Sequence, residues 1–205
     1  MSKTLQFQGP LAGRQTPDTF VAPDHDPEAA VVIQDLTDYA LVQIVARKGQ
    51  MTPLRRRLRN VLDAAAPNKP LTAMGDARVL LCATGPLELW ALSEFQDEAR
   101  LLGTLGEVVK DAACLYGQSH GRSVLRLSGP MAANVLAKGC PLDLHPRVFP
   151  TPGAGHTSIE KIPVLVVKRD DAPTFDLAVA RSYAQSFLDW TCESAREFGY
   201  RIEPA

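Results

Sequence analysis

Cysteine and histidine are scarce in this chain of 205 residues, and what there is of them is scattered. Cys82, Cys114, Cys140 and Cys192 form no close pair, no CxxC and no Cys/His spacing suited to zinc, so they read as reduced thiols rather than a metal cage or a disulfide frame. His25, His120, His145 and His156 share no i, i+4 spacing on one helix, which argues against a histidine-held metal. Aromatic residues make up only 6%, and none alternate with basic residues along a strand as an RNA-stacking surface would require. The net charge of −1 gives no general attraction to nucleic acid or an anionic membrane. No apolar run approaches the length of a membrane span. The first ten residues lack the apolar stretch of a signal peptide, so a cytoplasmic protein is expected. A dinucleotide fingerprint, a P-loop and a G-x-S-x-G elbow are all missing.

What is present is the composition of a soluble globular chain, with 45% hydrophobic and 22% charged residues. At this length roughly 70% of the unfolded surface is expected to be buried. Residues 1–30 read as an extended tail, because Pro10, Pro17, Pro23 and Pro27 break any helix and only Phe7 and Phe20 offer docking points. The first regular strand is expected over 40–46, apolar on both faces. Thr52-Pro53 then opens a helix, with Thr52 as N-cap and Leu54, Leu58, Val61 and Leu62 on one face. Arg55, Arg56, Arg57 and Arg59 cover the rest, either as a solvated face or as a surface for RNA or an acidic partner. A hairpin turning at Thr84-Gly85-Pro86, a helix capped by Ser93 with Gln96, and a strand over 112–119 complete a β-α-β-β-α-β order. A second half repeats it. It has a strand over 123–127, a helix started by Ser128-Gly129-Pro130, strands over 157–160, 162–168 and 174–179, a helix capped by Ser182 with Tyr183, Phe187, Leu188 and Trp190 inward, and a closing strand after Gly199. The expectation is an α+β domain over 31–205, built of two pseudo-repeated halves, preceded by the 1–30 tail.

The 117–145 stretch gathers histidine, cysteine, aspartate and arginine without completing a reaction. Ser119-His120 are neighbours at a strand end and point apart, so a nucleophile–base pair is not expected. A Cys140 thiolate paired with His145 or His120 would need Arg122, Arg126 or Lys138 close by, whereas a small buried side chain at a turn needs nothing. Asp143 and the Asp170-Asp171 pair read as turn formers. The Ser128-Gly129-Pro130 helix start invites an anion, but the longer glycine loop and lysine of a phosphate site are absent. A chain with no complete catalytic set suits a subunit of a larger assembly.

Three segments carry a resemblance. Gln118-Ser119-His120-Gly121-Arg122, Arg126-Leu127-Ser128-Gly129-Pro130 and Ala137-Lys138-Gly139-Cys140-Pro141-Leu142-Asp143-Leu144-His145-Pro146-Arg147 resemble the gamma subunit family of heterotetrameric sarcosine oxidase. The likeness continues through Ile162-Pro163-Val164-Leu165, Arg181-Ser182-Tyr183-Ala184 and Glu197-Phe198-Gly199-Tyr200. It implies a folate-binding aminomethyltransferase-like fold. It also implies membership of a complex with alpha, beta and delta subunits that demethylates sarcosine to glycine, with oxygen as acceptor and hydrogen peroxide formed. That complex uses FAD, covalent FMN, NAD and tetrahydrofolate, held by the other subunits. No catalytic, cofactor-binding or metal residue is therefore carried over to this chain. Gln118, His120, Arg122, Cys140, Leu142, His145 and Arg147, with the tail, are the expected subunit contacts. The gamma-like subunit of N-methylglutamate dehydrogenase shares the resemblance, and a stand-alone folate-dependent aminomethyltransferase-like protein is the alternative from another class.

Overall fold

Each half of the chain folds as a strand, a helix, three strands, a helix and a closing strand. The computed structural model describes residues 19–20, 30–36, 39–62, 66–75, 78–94 and 97–203. The first half runs β3 (Ala40–Ala46), α1 (Met51–Leu62), β4 (Ala73–Gly75), β5 (Leu80–Gly85), β6 (Glu88–Ser93), α2 (Glu98–Val109) and β7 (Ala113–Gly117). The second runs β8 (Arg122–Ser128), α3 (Ala132–Ala137), β9 (Gly153–Ile159), β10 (Ile162–Lys168), β11 (Phe175–Ala180), α4 (Ala184–Ala195) and β12 (Tyr200–Glu203). Two strands precede both halves, β1 (Thr19–Phe20) and β2 (Val31–Asp35).

The sheets show the repeat directly. One has the order β4-β5-β6-β3-β7 and the other β9-β10-β11-β8-β2-β12-β1. Without β1 and β2 the two orders are identical by position in the half. The early strand β2 is wedged into the second sheet, antiparallel to β8 and parallel to β12. The halves expected from sequence are thus present; the strand expected over 157–160 is β9, which starts earlier, at Gly153, and β4 is a further edge strand ahead of the first hairpin. Three residues of β4 are too short to leave a periodic signal, and β2 was hidden behind the proline-rich stretch.

Strand alternation sorts the side chains into three cores. In β8, Leu125 and Leu127 face α3 and α4, where they join Phe149, Phe175 and Phe187. Val124, from the opposite face, meets Leu41, Trp90, Leu92 and Leu165 between the sheets. On the far side of the first sheet, α1 and α2 place Leu54, Leu58, Leu101 and Leu105 against Val42, Ile44 and Leu89. The layers are helix, sheet, sheet, helix. Each fully buried large aliphatic or aromatic side chain contributes about 1.5–3 kcal/mol by leaving water.

Several helix starts differ from expectation. The first bond of α1 is accepted by the Gln50 carbonyl from Leu54 N–H at 2.9 Å, so Thr52 sits exposed inside the first turn. Leu54 and Leu58 are buried as expected; the Val61 and Leu62 side chains lie outside the described residues. The helix α2 is capped by Asp97, which accepts from Arg100 N–H at 2.7 Å, while Ser93 ends β6 and donates to the Arg78 carbonyl. Gln96 and all of the 1–30 tail except residues 19–20 and 30 lie outside the described residues. Ser182 makes no capping bond, and Tyr183 is 48% exposed rather than inward, because a 3-10 turn over Arg181–Tyr183 precedes α4 and rotates it outward. Phe187 and Leu188 are buried and Trp190 packs partly against them.

Candidate functional site

Between the two sheets, where apolar side chains dominate, lies a closed set of charges. Asp176 on β11 is 1% exposed. Arg126 on β8 grips it with Nε at 2.7 Å and Nη2 at 3.0 Å. The phenol of Tyr39 donates to the same carboxylate at 2.9 Å. Glu94, just after β6, takes the other edge of Arg126, with Nη1 at 3.2 Å and Nη2 at 2.8 Å. Arg169 closes the ring, bonding Glu94 and donating to the Tyr39 hydroxyl at 3.2 Å. Two guanidinium ions and two carboxylates thereby satisfy each other across the layer, as buried charges must.

The electrostatics follow. Burial alone would raise the Glu94 carboxyl, but hydrogen bonds and charge from Arg126 and Arg169 outweigh it and hold it below the usual range. Burial, then the adjacent Asp176 charge, pushes the Tyr39 phenol well up. Desolvation opposes the Arg126 cation, yet Asp176 and Glu94 hold it more firmly protonated than a free guanidinium. These shifts keep Glu94 a carboxylate, and Tyr39 and Arg126 protonated, near neutrality. The set fixes the register of the two halves and offers no nucleophile or general base.

A second cluster flanks it. Trp90 donates to Glu88 Oε1 at 2.5 Å, Thr84 donates to the same oxygen at 2.9 Å, and His156 Nε2 lies 3.4 Å away. Arg122 stacks over the Trp90 ring at 5.1 Å, and His156 meets that ring edge-on. Burial lowers the His156 imidazole against the opposing pull of Glu88. Burial likewise lowers Arg122 against the pull of Glu88.

The residues expected as contacts separate into two groups. Gln118, His120 and Arg122 lie on the β7–β8 connection, where Gln118 N–H bonds the Leu41 carbonyl and Gly121 N–H bonds Gln118. Ser119 is structural: its Oγ accepts from Leu41 N–H at 2.9 Å, and its own N–H bonds Glu98 at 2.7 Å. The others build the loop after α3. Gly139 lies where a Cβ would meet the Trp190 ring at 2.7 Å. Cys140 is 8% exposed in the outer core, and Leu142 packs against that core. Burial pushes the Cys140 thiol up. Arg122 and Arg126 face the opposite side of the second sheet, and Lys138 is held by the Ser194 carbonyl, so the thiolate reading has no support. Asp143 accepts from His145 N–H at 2.9 Å, His145 Nδ1 accepts from Arg147 N–H at 3.2 Å, and the buried Phe149 anchors the end. His145 and Arg147 are exposed.

The Ser128-Gly129-Pro130 turn is committed to the fold. Gly129 has φ +106° and its missing Cβ would lie 2.5 Å from the Ala30 carbonyl. That carbonyl accepts Met131 N–H at 3.1 Å, so the amide an anion would use is already bonded. The Met131 and Ala132 amides are both taken, by the Ala30 and Gly129 carbonyls, so they do not receive a dinucleotide or flavin phosphate at this turn. Among the described residues, no group of three or more His, Cys, Asp or Glu is placed to hold a metal. No described helix is long and apolar enough to cross a membrane.

Sequence reasoning missed Tyr39, Glu94, Arg169 and Asp176. A signal was available: Asp176 interrupts the apolar run Phe175-Asp176-Leu177-Ala178-Val179, and a charge there requires a buried partner.

Known proteins resemble this chain in sequence and in fold. Residues 71–197 match the model of the sarcosine oxidase, gamma subunit family. The chain is 36% identical over 115 residues to a sarcosine oxidase subunit gamma from Corynebacterium sp. (strain U-96), covering 56% of this chain and 55% of that protein. It is 37% identical over 100 residues to the subunit gamma of an Arthrobacter species, covering 47% and 49%. The chain thus spans about half the length of the curated relatives it matches. In three dimensions it matches a chain of heterotetrameric sarcosine oxidase from Corynebacterium sp. U-96 in complex with pyrrole 2-carboxylate. That match has TM-score 0.78 and 26% identity, over 94% of this chain and 96% of that one. Aminomethyltransferase T of the glycine cleavage system from Bartonella henselae shares the fold, with TM-score 0.63 at 12% identity over 96% of this chain and 58% of that one. With the family model spanning well over half its length, the chain belongs to the sarcosine oxidase gamma subunit family.

Proposed function

We propose that this chain is a scaffold subunit of a heterotetrameric sarcosine oxidase-type complex, and that the chemistry belongs to its partners. The supporting observation is the fold match, which extends over nearly the full length of both chains. On this reading alpha, beta and delta chains complete the assembly and hold FAD, FMN, NAD and tetrahydrofolate. The complex oxidatively demethylates sarcosine in the cytoplasm. This chain contributes a unit over 31–205 and a tail over 1–30. Exposed His120, His145 and Arg147, with the partly buried Gln118 and Arg122, are available to partners, whereas Cys140 and Leu142 serve the core.

A charge ring with no free valence is a reason to assign structure rather than catalysis to the layer between the sheets. The test is co-expression with the neighbouring reading frames, followed by native mass spectrometry and a sarcosine-dependent peroxide assay. The expected result is a complex of four different chains whose activity the isolated chain lacks. Recovery of this chain only as a monomer sinks the proposal.

A further inference from the structure

A groove opens where the two halves meet, with a volume of about 380 Å³. The helix α1 and residues 68–71 form one wall, and the β5–β6 turn with β9 forms the other. Leu71 lies over Gly155, where a Cβ would come within 2.6 Å of its Cδ2. Pro70, Pro86 and Leu71 give the groove an apolar lining, and Leu87, the next residue after Pro86, is 44% exposed.

The lysine and arginine that line it, Lys69 and Arg55, are both cations, and no carboxylate lines it. Arg55 and Lys69 reach the groove and make no ion pair among the described residues. Arg55 Nε is buried and has no acceptor among the described residues. A buried donor left so is costly, and an incoming oxygen would relieve it. Glu88, behind the lining residue His156, is already occupied by Trp90, Thr84 and His156. Four residues on from Arg55, Arg59 shares its side of α1 and is exposed. Residues so spaced on a helix lie about 5–6 Å apart. The helix carries four arginines and no acid, and among the described residues only Arg57 is in an ion pair, with Asp111 at 2.9 Å.

We infer that this groove docks an extended acidic segment of a partner subunit, its carboxylates received by Arg55, Arg59 and Lys69. In an extended strand, side chains at alternate positions stand roughly 6.6–7 Å apart on one face, close to the Arg55–Arg59 spacing. A small free anion would leave Arg59 and the apolar lining unused. An RNA strand would call for aromatic stacking platforms, and no Phe, Tyr or Trp lines the groove, while the lining His156 already meets the Trp90 ring edge-on. Arginine beside exposed apolar residues is the usual make-up of an interface core.

This inference rests on the proposed assembly, and one experiment separates the two. The co-expressed complex is prepared with wild-type chain, with Arg55→Glu/Lys69→Glu, and with the neutral pair Arg55→Gln/Lys69→Gln, each isolated chain being checked by circular dichroism melting. At an ionic strength of about 0.15 M, the charge-reversed chain is expected to associate at least about tenfold more weakly than wild type, the neutral pair falling between. Melting of the isolated chains stays unchanged. Should the reversed chain fail to fold, the neutral pair alone decides. Assembly of both variants within about twofold of wild type overturns the groove while leaving the proposed function standing. A wild-type chain that does not assemble removes both.

Discussion

Arg126 holds Asp176 through two hydrogen bonds, at 2.7 and 3.0 Å, in a layer where the carboxylate is 1% exposed. These strands pair directly, with Asp176 opposite Arg126 in the register. The pair is therefore built by the second sheet itself, and Glu94 and Tyr39 from the first half close onto it. Removing Arg126 would leave two carboxylates with one guanidinium between them. Arg126→Met is expected to destabilise the chain by about 3–5 kcal/mol, the usual cost of orphaning a buried charge. Urea unfolding at neutral pH measures it, and a loss under about 1 kcal/mol would show that water reaches Asp176.

The same ring sets the acid limb of stability. The Glu94 carboxyl sits lower in the folded chain than in the unfolded one. Its contribution is fully present above the unfolded carboxyl value, about 4.3, and is lost as pH falls through the lower folded value. Unfolding free energy should decline below about pH 4.5 in the wild type, and Glu94→Gln should flatten that decline while lowering stability at neutral pH. Parallel acid limbs in the two proteins would count against the assignment.

Tyr39 governs the opposite limb. Burial and Asp176 raise its phenol, so the unfolded chain ionises first on going alkaline. Its contribution is present below the free phenol value, about 10, and is lost as pH rises toward the folded value. Tyr39→Phe should abolish this alkaline loss and cost about 1.5–3 kcal/mol at neutral pH by removing a hydrogen bond to a charged group. The difference in tyrosinate absorbance between wild type and Tyr39→Phe, followed as pH rises past about 10, reports the ionisation directly.

Gly129 and Gly49 both have positive φ, +106° and +75°, but only Gly129 faces backbone. An alanine at Gly49 meets open space, so Gly49→Ala should cost about 1 kcal/mol for the backbone conformation alone. Gly129→Ala adds a collision with the Ala30 carbonyl, at the entry of β2 into the second sheet. A cost beyond about 3 kcal/mol is expected, together with faster amide exchange in β2. Equal melting temperatures for the two variants would contradict the close approach.

What could be read in the sequence was what repeats or alternates over several residues. The helix face of Leu54 and Leu58, the hairpin around Gly85-Pro86 and the apolar run 162–168 all have enough length for a period to emerge. What escaped depends on partners distant in the chain. The strand β2 finds its place only because β8 and β12 flank it. Tyr39 and Asp176 stand 137 residues apart. Ser93 looked like a cap because local spacing cannot show that Asp97 is nearer the helix. The loop after α3 was legible as a motif before its purpose was: Gly139 fits under Trp190, Cys140 and Leu142 fill the core, and Asp143 ties the turn.

That purpose predicts a pattern of thiol reactivity. Cys82 and Cys140 are buried, and burial raises both thiols. The thiolate is the reactive form, so both should be protected twice over, by access and by protonation. Cys114 and Cys192 are only partly buried. Brief alkylation with iodoacetamide near neutral pH, read by peptide mass spectrometry, should label Cys114 and Cys192 in the folded chain. Cys82 and Cys140 should become labelled only after denaturant unfolds it. Cys140→Ala should leave any assembled complex active while costing about 1 kcal/mol for the lost buried sulfur. Rapid labelling of Cys140 in the native chain would reverse its placement in the core and reopen its role as a nucleophile, since an activated thiol would have to be both accessible and ionised.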